Sequence, residues 1–204
     1  MSETTPHLIL ASGSATRAEM LRAAGLEFKV MPAVVDEPAL FEDATAKSPN
    51  ISPAAVAELL ARAKATEVSR RYPDALVIGG DQVLAAGREM IFKAPDRTGA
   101  KSILLKLKGR SHELHSAAAL ATGGVVDWTG IDTARLTMRN FSAAFLDDYL
   151  DRAGGALTSS AGAYQIEGYG VNLFEHVAGN HATILGLPLL ALLAELRARR
   201  VVQS

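Results

Sequence analysis

His7-Leu8-Ile9-Leu10-Ala11-Ser12-Gly13-Ser14-Ala15-Thr16-Arg17 decides how the rest of the chain is read. Residues 7–11 form a short, largely apolar run suited to a strand buried on both faces, and Ser12-Gly13-Ser14 breaks it. A helix follows at once. Ser14 suits its N-cap, Met20, Leu21 and Ala24 share one face, and Gly25 suits a left-handed stop. Strand, tight Ser/Gly turn and helix together open an α/β fold.

Downstream, apolar runs keep alternating between strand and helix character, with no internal repeat or low-complexity block. A strand is expected over 27–31, then a loop over Pro32–Pro38 holding the acidic pair Asp36 and Glu37, then a polar, proline-bounded, mobile stretch from Leu40 to Ser52. Ser52-Pro53 marks the start of a long helix to about Arg71, with Val56, Leu59, Leu60 and Ala63 as its apolar stripe. Ala75-Leu76-Val77-Ile78 reads as a buried strand leading into Gly79-Gly80-Asp81-Gln82, and Gly87-Arg88 turns a hairpin into Met90–Lys93. Further on come a helix over 98–108, strands over 111–122 and 125–139, and a helix from Ser142 to Arg152. A glycine-rich irregular stretch over 154–170, a strand over 171–177 and a terminal helix over 186–200 complete the chain. The pattern predicts one domain, residues 1–204: a mixed sheet with helices on both sides and functional groups at strand ends.

Composition narrows the function. With 204 residues, 49% of them hydrophobic, the chain can bury a sizeable core. Its 21 basic residues against 22 acidic ones leave no basic field to hold nucleic acid, so any anion site must be local. The absence of cysteine removes disulfides, thiolate nucleophiles and Cys-ligated zinc, and fits a reducing compartment. Residues 1–7 lack the pattern of a signal peptide, and the most apolar stretch, Ala182–Ala194, is interrupted by Gly186-Leu187-Pro188 and falls short of the roughly 18 residues of a span. A cytoplasmic protein without a membrane anchor is expected.

Several residues invite chemistry. Arg17 lies in the first turn of its helix, where a cation opposes the dipole by about 0.3–1 kcal/mol. Ser12, Gly13 and Ser14 offer free backbone N–H groups at the same point, an arrangement that takes phosphate; a capped helix with an arginine in solvent also accounts for it. Lys64 flanks its helix's apolar stripe, either snorkelling or aimed along the sheet at an anion. Asp81 follows a buried strand and two glycines, where it can bind metal, take a proton from water or simply serve a turn. Lys93 and Glu167 are unremarkable alone. Together, however, the cations Arg17, Lys64 and Lys93 and the carboxylates Glu37, Asp81 and Glu167 all fall at element ends or flanks, as metal-assisted polyphosphate chemistry requires. His112 and His115, three apart on a strand, face opposite sides and make a poor metal pair. No G-x-S-x-G elbow supports a nucleophilic serine.

The chain resembles the Maf (septum-formation inhibitor) family of nucleoside triphosphate pyrophosphatases through blocks spread in order over nearly its whole length. These are Leu8-Ile9-Leu10-Ala11-Ser12-x-Ser14-x-x-Arg17, Val35-Asp36-Glu37, Lys64-Ala65, Arg71-Tyr72-Pro73-Asp74, Gly79-Gly80-Asp81-Gln82-Val83, Lys93-x-Pro95, Gly109-Arg110-x-His112, Ala161-Gly162-Ala163-Tyr164, Glu167-Gly168 and Gly186-Leu187-Pro188. The resemblance implies cleavage of a nucleoside triphosphate between its α and β phosphates, with a divalent cation, Mg²⁺ or Mn²⁺. It implies an α/β fold with a strongly twisted central mixed sheet, two lobes around a cleft as in inosine triphosphate pyrophosphatases, and a homodimer. It assigns Ser12, Ser14, Arg17, Lys64 and Lys93 to the triphosphate, Glu37 to the metal or the water as a catalytic residue, and Asp81 to the metal and to the proton acceptor that activates water.

Two departures stand out. The family's first motif usually continues Ser-Pro-Arg-Arg or Ser-Pro-Trp-Arg, whereas here it reads Ser14-Ala15-Thr16-Arg17. Gln82, Val83 and Glu167 resemble the branch acting on 7-methyl-GTP, placing Gln82 and Glu167 among the substrate-binding residues, although Ala163-Tyr164 does not fit that branch. The implied role is the clearance of non-canonical nucleotides. The alternative is a nucleotide-binding regulator of cell division that has lost catalysis, motivated by Ala15 and Thr16; the presence of Glu37, Lys64, Asp81 and Lys93 weighs against it.

Overall fold

A computed structural model describes residues 8–203; His7, read with the first strand, and the rest of the amino terminus lie outside the described residues. Strand β1 (Leu8–Ala11) is buried on both faces, as its unbroken apolar run requires. It pairs in parallel with β2 (Lys29–Val30) and with β3 (Leu76–Ala86), the latter in register from Leu8 opposite Leu76 to Ala11 opposite Gly79. The sheet order is β2-β1-β3-β5-β6-β7, with β4 (Glu89–Ile91) pairing antiparallel to β3. Strands β5 (Ser111–Thr122) and β6 (Val125–Met138) are long, and β7 (Phe174–Ala178) runs antiparallel to β6. The sheet is therefore mixed, as the sequence predicts.

Alternation along β1 and β3 sorts the first core into two layers. Leu8, Leu10, Leu76 and Ile78 pack with Ala18 and Leu21 of α1 (Ala15–Ala23) and with Leu192 and Leu196 near the carboxyl terminus. Ile9, Ala11 and Val77 face the other way, onto Val68 of the long helix α3 (Pro53–Arg71). Helices thus cover both faces. At about 25 cal/mol per Å² of apolar surface, each fully buried leucine of these layers contributes roughly 2 kcal/mol.

The chain divides into two compact units. One holds the chain up to Gln82, Ser116–Asp132 and the segment from His181 onward; the other holds Val83–His115 and Thr133–Asn180. In the second unit, helix α4 (Arg97–Leu107) and helix α5 (Ala143–Arg152) bury Leu104, Leu107, Leu146 and Leu150, and Tyr149 stacks on Tyr169 at 6.0 Å. A short helix α6 (Ala156–Ser159) precedes a 3₁₀ turn over Tyr169–Leu173.

Several expectations need correction. The stretch from Leu40 to Ser52 is not a mobile loop: most of it belongs to helix α2 (Glu37–Lys47). Asp36 caps that helix through the Ala39 N–H at 3.0 Å, and Pro38 stands in its first turn, where proline is tolerated. None of its residues is buried, so no apolar stripe announces it. Asp36 and Glu37 accordingly start a helix and do not form a loop pair. Strand 27–31 shrinks to Lys29–Val30, and the strand expected over 171–177 begins only at Phe174, after the 3₁₀ turn. The terminal helix expected from residue 186 begins only at Leu189, as α8 (Leu189–Ala198), and a short helix α7 (His181–Ile184) precedes Gly186-Leu187-Pro188. Lys93 stands just beyond β4, joined to Ala161 by an isolated antiparallel bridge.

The largest difference concerns Asp81. Gly79-Gly80-Asp81-Gln82 does not turn; it lies inside β3, which runs unbroken to Ala86. The glycines serve packing, because a Cβ on Gly79 would fall against the Ala61 carbonyl oxygen and 2.7 Å from the Ala65 nitrogen. Helix α3 can approach β3 this closely only over a glycine.

Candidate active site

The parallel pairing of β1 with β3 ends at Ala11 and Gly79, so Ser12 and Asp81 both lie just past the carboxyl end of that pairing. Ser14 caps α1 by accepting the Arg17 N–H at 3.3 Å, and Ser12 Oγ accepts the Ser14 N–H at 3.3 Å. The Arg17 side chain does not extend to solvent. Its Nη1 donates to Ser12 Oγ at 3.0 Å and its Nε donates to the Gly186 carbonyl at 2.9 Å. A Cβ on Gly80 would stand 3.1 Å from Leu187 Cδ2 and in ordinary contact with Arg17, so the tighter neighbour there is Leu187. Burial pulls the Arg17 pKa below its ordinary value, and the negative fields of Asp81 and then Glu37 partly offset that. Among the described residues no carboxylate forms an ion pair with this guanidinium. A partly desolvated cation bonded only to neutral oxygens, at a helix N-terminus, is able to receive an anion.

Lys64 lies on the face of α3 turned to β3, four residues from Leu60 and one from Ala65, both buried. Its Nζ reaches Asp81 Oδ1 at 2.5 Å and Glu37 Oε1 at 2.7 Å. Asp81 is 8% exposed, whereas the Glu37 side chain is 48% exposed. The Lys64–Asp81 pair is thus the desolvated half of the triad, and the Glu37 half is screened by water. Two carboxylates converging on one ammonium form a set of hard oxygen donors that suits a divalent ion; among the described residues no group of three or more potential protein ligands exists. Hard oxygen donors of this kind are the ligand type that Mg²⁺ and Mn²⁺ take together with water and phosphate oxygens.

Gln82, next to Asp81, donates its Nε2 to Ser116 Oγ at 3.0 Å, Thr183 O at 2.9 Å and Ile184 O at 3.0 Å. The Thr183 carbonyl also accepts from Ser116 Oγ at 2.7 Å, and Thr183 Oγ1 donates to Asp132 at 2.5 Å. The 183–186 segment is therefore tied to β3 at one end while its Gly186 carbonyl holds Arg17 at the other. Ser116, Asp132, Thr183 and the Gly186 carbonyl have no motif of their own in the sequence reading beyond the Gly186-Leu187-Pro188 block.

Ser12, Ser14, Arg17, Glu37, Lys64, Asp81 and Gln82 all belong to the first unit, and Lys93 and Glu167 to the second. Both of the latter are exposed. His112 and His115 make separate contacts, with Tyr164 and Thr133 respectively, and form no metal pair.

An α/β protein whose β1–α1 turn holds a half-buried arginine, beside a lysine clamped by two carboxylates, has the makings of a polyphosphate site. The model of the Maf-like protein family matches residues 7–199, and the chain belongs to that family. It is 50% identical, over 95% of its own length and 96% of the relative's, to the 7-methyl-GTP pyrophosphatase of Mesorhizobium japonicum. It is 51% identical, over 93% and 96%, to the nucleoside triphosphate pyrophosphatase of Paramagnetospirillum magneticum. It is 43% identical, over 98% and 100%, to the 7-methyl-GTP pyrophosphatase of Brucella abortus.

Proposed function

We propose that the protein is a nucleoside triphosphate pyrophosphatase, cleaving the α–β anhydride to release a nucleoside monophosphate and pyrophosphate. The observation that carries this reading is Lys64 held between Asp81 and Glu37, beside an Arg17 that lacks a carboxylate partner among the described residues. The names of the relatives, at about half identity over nearly the whole chain, support it.

In this reading a water oxygen attacks the α phosphorus in line with the departing β-phosphate oxygen. Asp81 takes the water's proton: Oδ1 is bound to Lys64, leaving Oδ2 as the acceptor. Arg17, Lys64 and Lys93 offset the charge that accumulates on pyrophosphate as the P–O bond breaks. Ser12 and the N–H groups at the start of α1 orient the phosphates. Glu37 and Asp81 would hold the divalent ion, which when bound neutralises phosphate charge. These carboxylates and cations favour a working enzyme over a binding regulator, despite Ala15 and Thr16 in the turn.

The base is read as 7-methylguanine, from Gln82, Val83 and Glu167 and from the names of two relatives above. Clearance of non-canonical nucleotides in the cytoplasm, by a homodimer, is the corresponding role. No described helix is long and apolar enough to cross a membrane. Pyrophosphate release measured with Mg²⁺ or Mn²⁺ across canonical and modified triphosphates tests the reading. Preferential release from 7-methyl-GTP supports it, preference for another triphosphate corrects the base, and no release from any triphosphate rejects the enzyme.

A further inference from the structure

The second unit keeps two costly features side by side. His112 is 1% exposed, and its Nδ1 has no hydrogen-bond partner among the described residues, an exception among buried polar atoms. Ala163 adopts a left-handed backbone at φ +59°, directly after Gly162 at φ +85°. For a residue with a Cβ that conformation costs about 1 kcal/mol or more and persists only where its surroundings over-determine it.

The surroundings do so here. His112 Nε2 and the Tyr164 hydroxyl share a hydrogen bond at 2.7 Å, and the Tyr164 ring meets Phe174 edge-on at 4.8 Å. The Tyr149 hydroxyl donates to the Ala163 carbonyl at 3.0 Å, and Ser160 Oγ donates to the Tyr164 carbonyl at 2.6 Å. Burial pushes both tyrosine pKa values up, so each phenol keeps the proton it needs as a donor. A Cβ on Gly162 would meet the Tyr164 ring and Leu84 at 2.5 and 2.6 Å, so the kink and the ring fit only together. The residue immediately before this kink, Ala161, is the one that bridges Lys93.

We propose that His112, Tyr164 and Tyr149 are positioning residues, which lock the 160–164 segment so that its bridge through Ala161 fixes the backbone of Lys93. The lock rests on local geometry, whereas its bearing on catalysis rests on the assignment of Lys93 to the triphosphate made above. Lys93 is exposed, and its long side chain starts from a backbone that this bridge holds. A cation used to offset charge on a leaving group is effective only from a fixed origin.

Tyr164→Phe in the full-length protein keeps the ring and removes one hydroxyl. Amide hydrogen exchange is expected to quicken about tenfold at residues 92–94 and 160–164 while β1 and α1 stay unchanged. Unchanged exchange at 92–94 overturns the lock. Pyrophosphate release then closes a cycle with Lys93→Ala: Tyr164→Phe is expected to lower kcat/KM by about tenfold in the native background and by less than about twofold when Lys93 is already absent. Equal losses in both backgrounds overturn the route through Lys93. A Lys93→Ala protein of native activity overturns the assignment of Lys93 itself, and the exchange result still judges the lock. Tyr149→Phe, which frees the Ala163 carbonyl without touching His112, is expected to give the same pattern and serves where Tyr164→Phe does not fold.

Discussion

Lys64 Nζ stands 2.5 Å from Asp81 Oδ1, and the side chains are only 13% and 11% exposed. The pair joins a helix to a strand seventeen residues later in sequence, so it depends on how closely α3 lies against β3. It also combines two roles, because the ammonium that offsets the Asp81 charge is itself a candidate phosphate ligand.

Removing Lys64 should therefore cost stability as well as activity. Lys64→Met leaves a desolvated Asp81 without its counter-ion, and urea denaturation should show a loss of about 2 kcal/mol. Glu37→Gln, at the wetter side of the same ammonium, should cost less than about 1 kcal/mol. Equal losses from the two variants would show that the triad is screened throughout.

The approach of α3 predicts a strong effect from one methyl group. Gly79→Ala places a Cβ 2.7 Å from the Ala65 nitrogen, and backbone cannot yield there as a side chain would. Overpacking of this kind costs about 1–3 kcal/mol, which lowers Tm by roughly 5 °C in a chain of this size. Pyrophosphate release should fall together with Tm, since Lys64 rides on the displaced helix. A Gly79→Ala protein with native Tm and activity would contradict the packing described.

Stability should also fall on acidification through His112. Burial lowers its pKa from 6.5 to about 4, so the folded protein holds the imidazole neutral where the unfolded chain binds a proton. The contribution is fully present above about pH 6.5 and is lost as pH falls towards 4, to a total of roughly 3 kcal/mol. Denaturation of the native protein and of His112→Phe between pH 7 and pH 4 should show the slope in the first and a shallower one in the second. Parallel slopes would mean that His112 titrates normally.

Much of this was readable in the chain and some was not, for physical reasons. The β1–α1 unit announces itself by an unbroken apolar run and a serine cap, and α3 by Ser52-Pro53; both signals are local. Helix α2 buries nothing, so it has no periodicity to find, and its capping residue Asp36 sits among prolines that equally suit a loop. A turn is one of the readings open to Asp81 because two glycines precede it, but Gly79 answers to α3 and Gly80 to Leu187, both distant in sequence. The same holds for Arg17 itself: the residue was legible as an oddity, whereas its acceptor, the Gly186 carbonyl, lies 169 residues away. Lys93 and Glu167 stand out only in combination with the other charged residues at element ends and through the family's motifs, since both are exposed and neither breaks a local rule.

The central claim is that Asp81 is the proton acceptor in a triphosphate-hydrolysing site. The most direct test compares Asp81→Asn with the native protein, in turnover and in affinity for a non-hydrolysable triphosphate. The account predicts that kcat for pyrophosphate release falls by about 10³-fold, within the range that a general base contributes, while Kd changes by less than about threefold because Arg17 and Lys64 remain. An Asp81→Asn protein that turns over at near the native rate would contradict it.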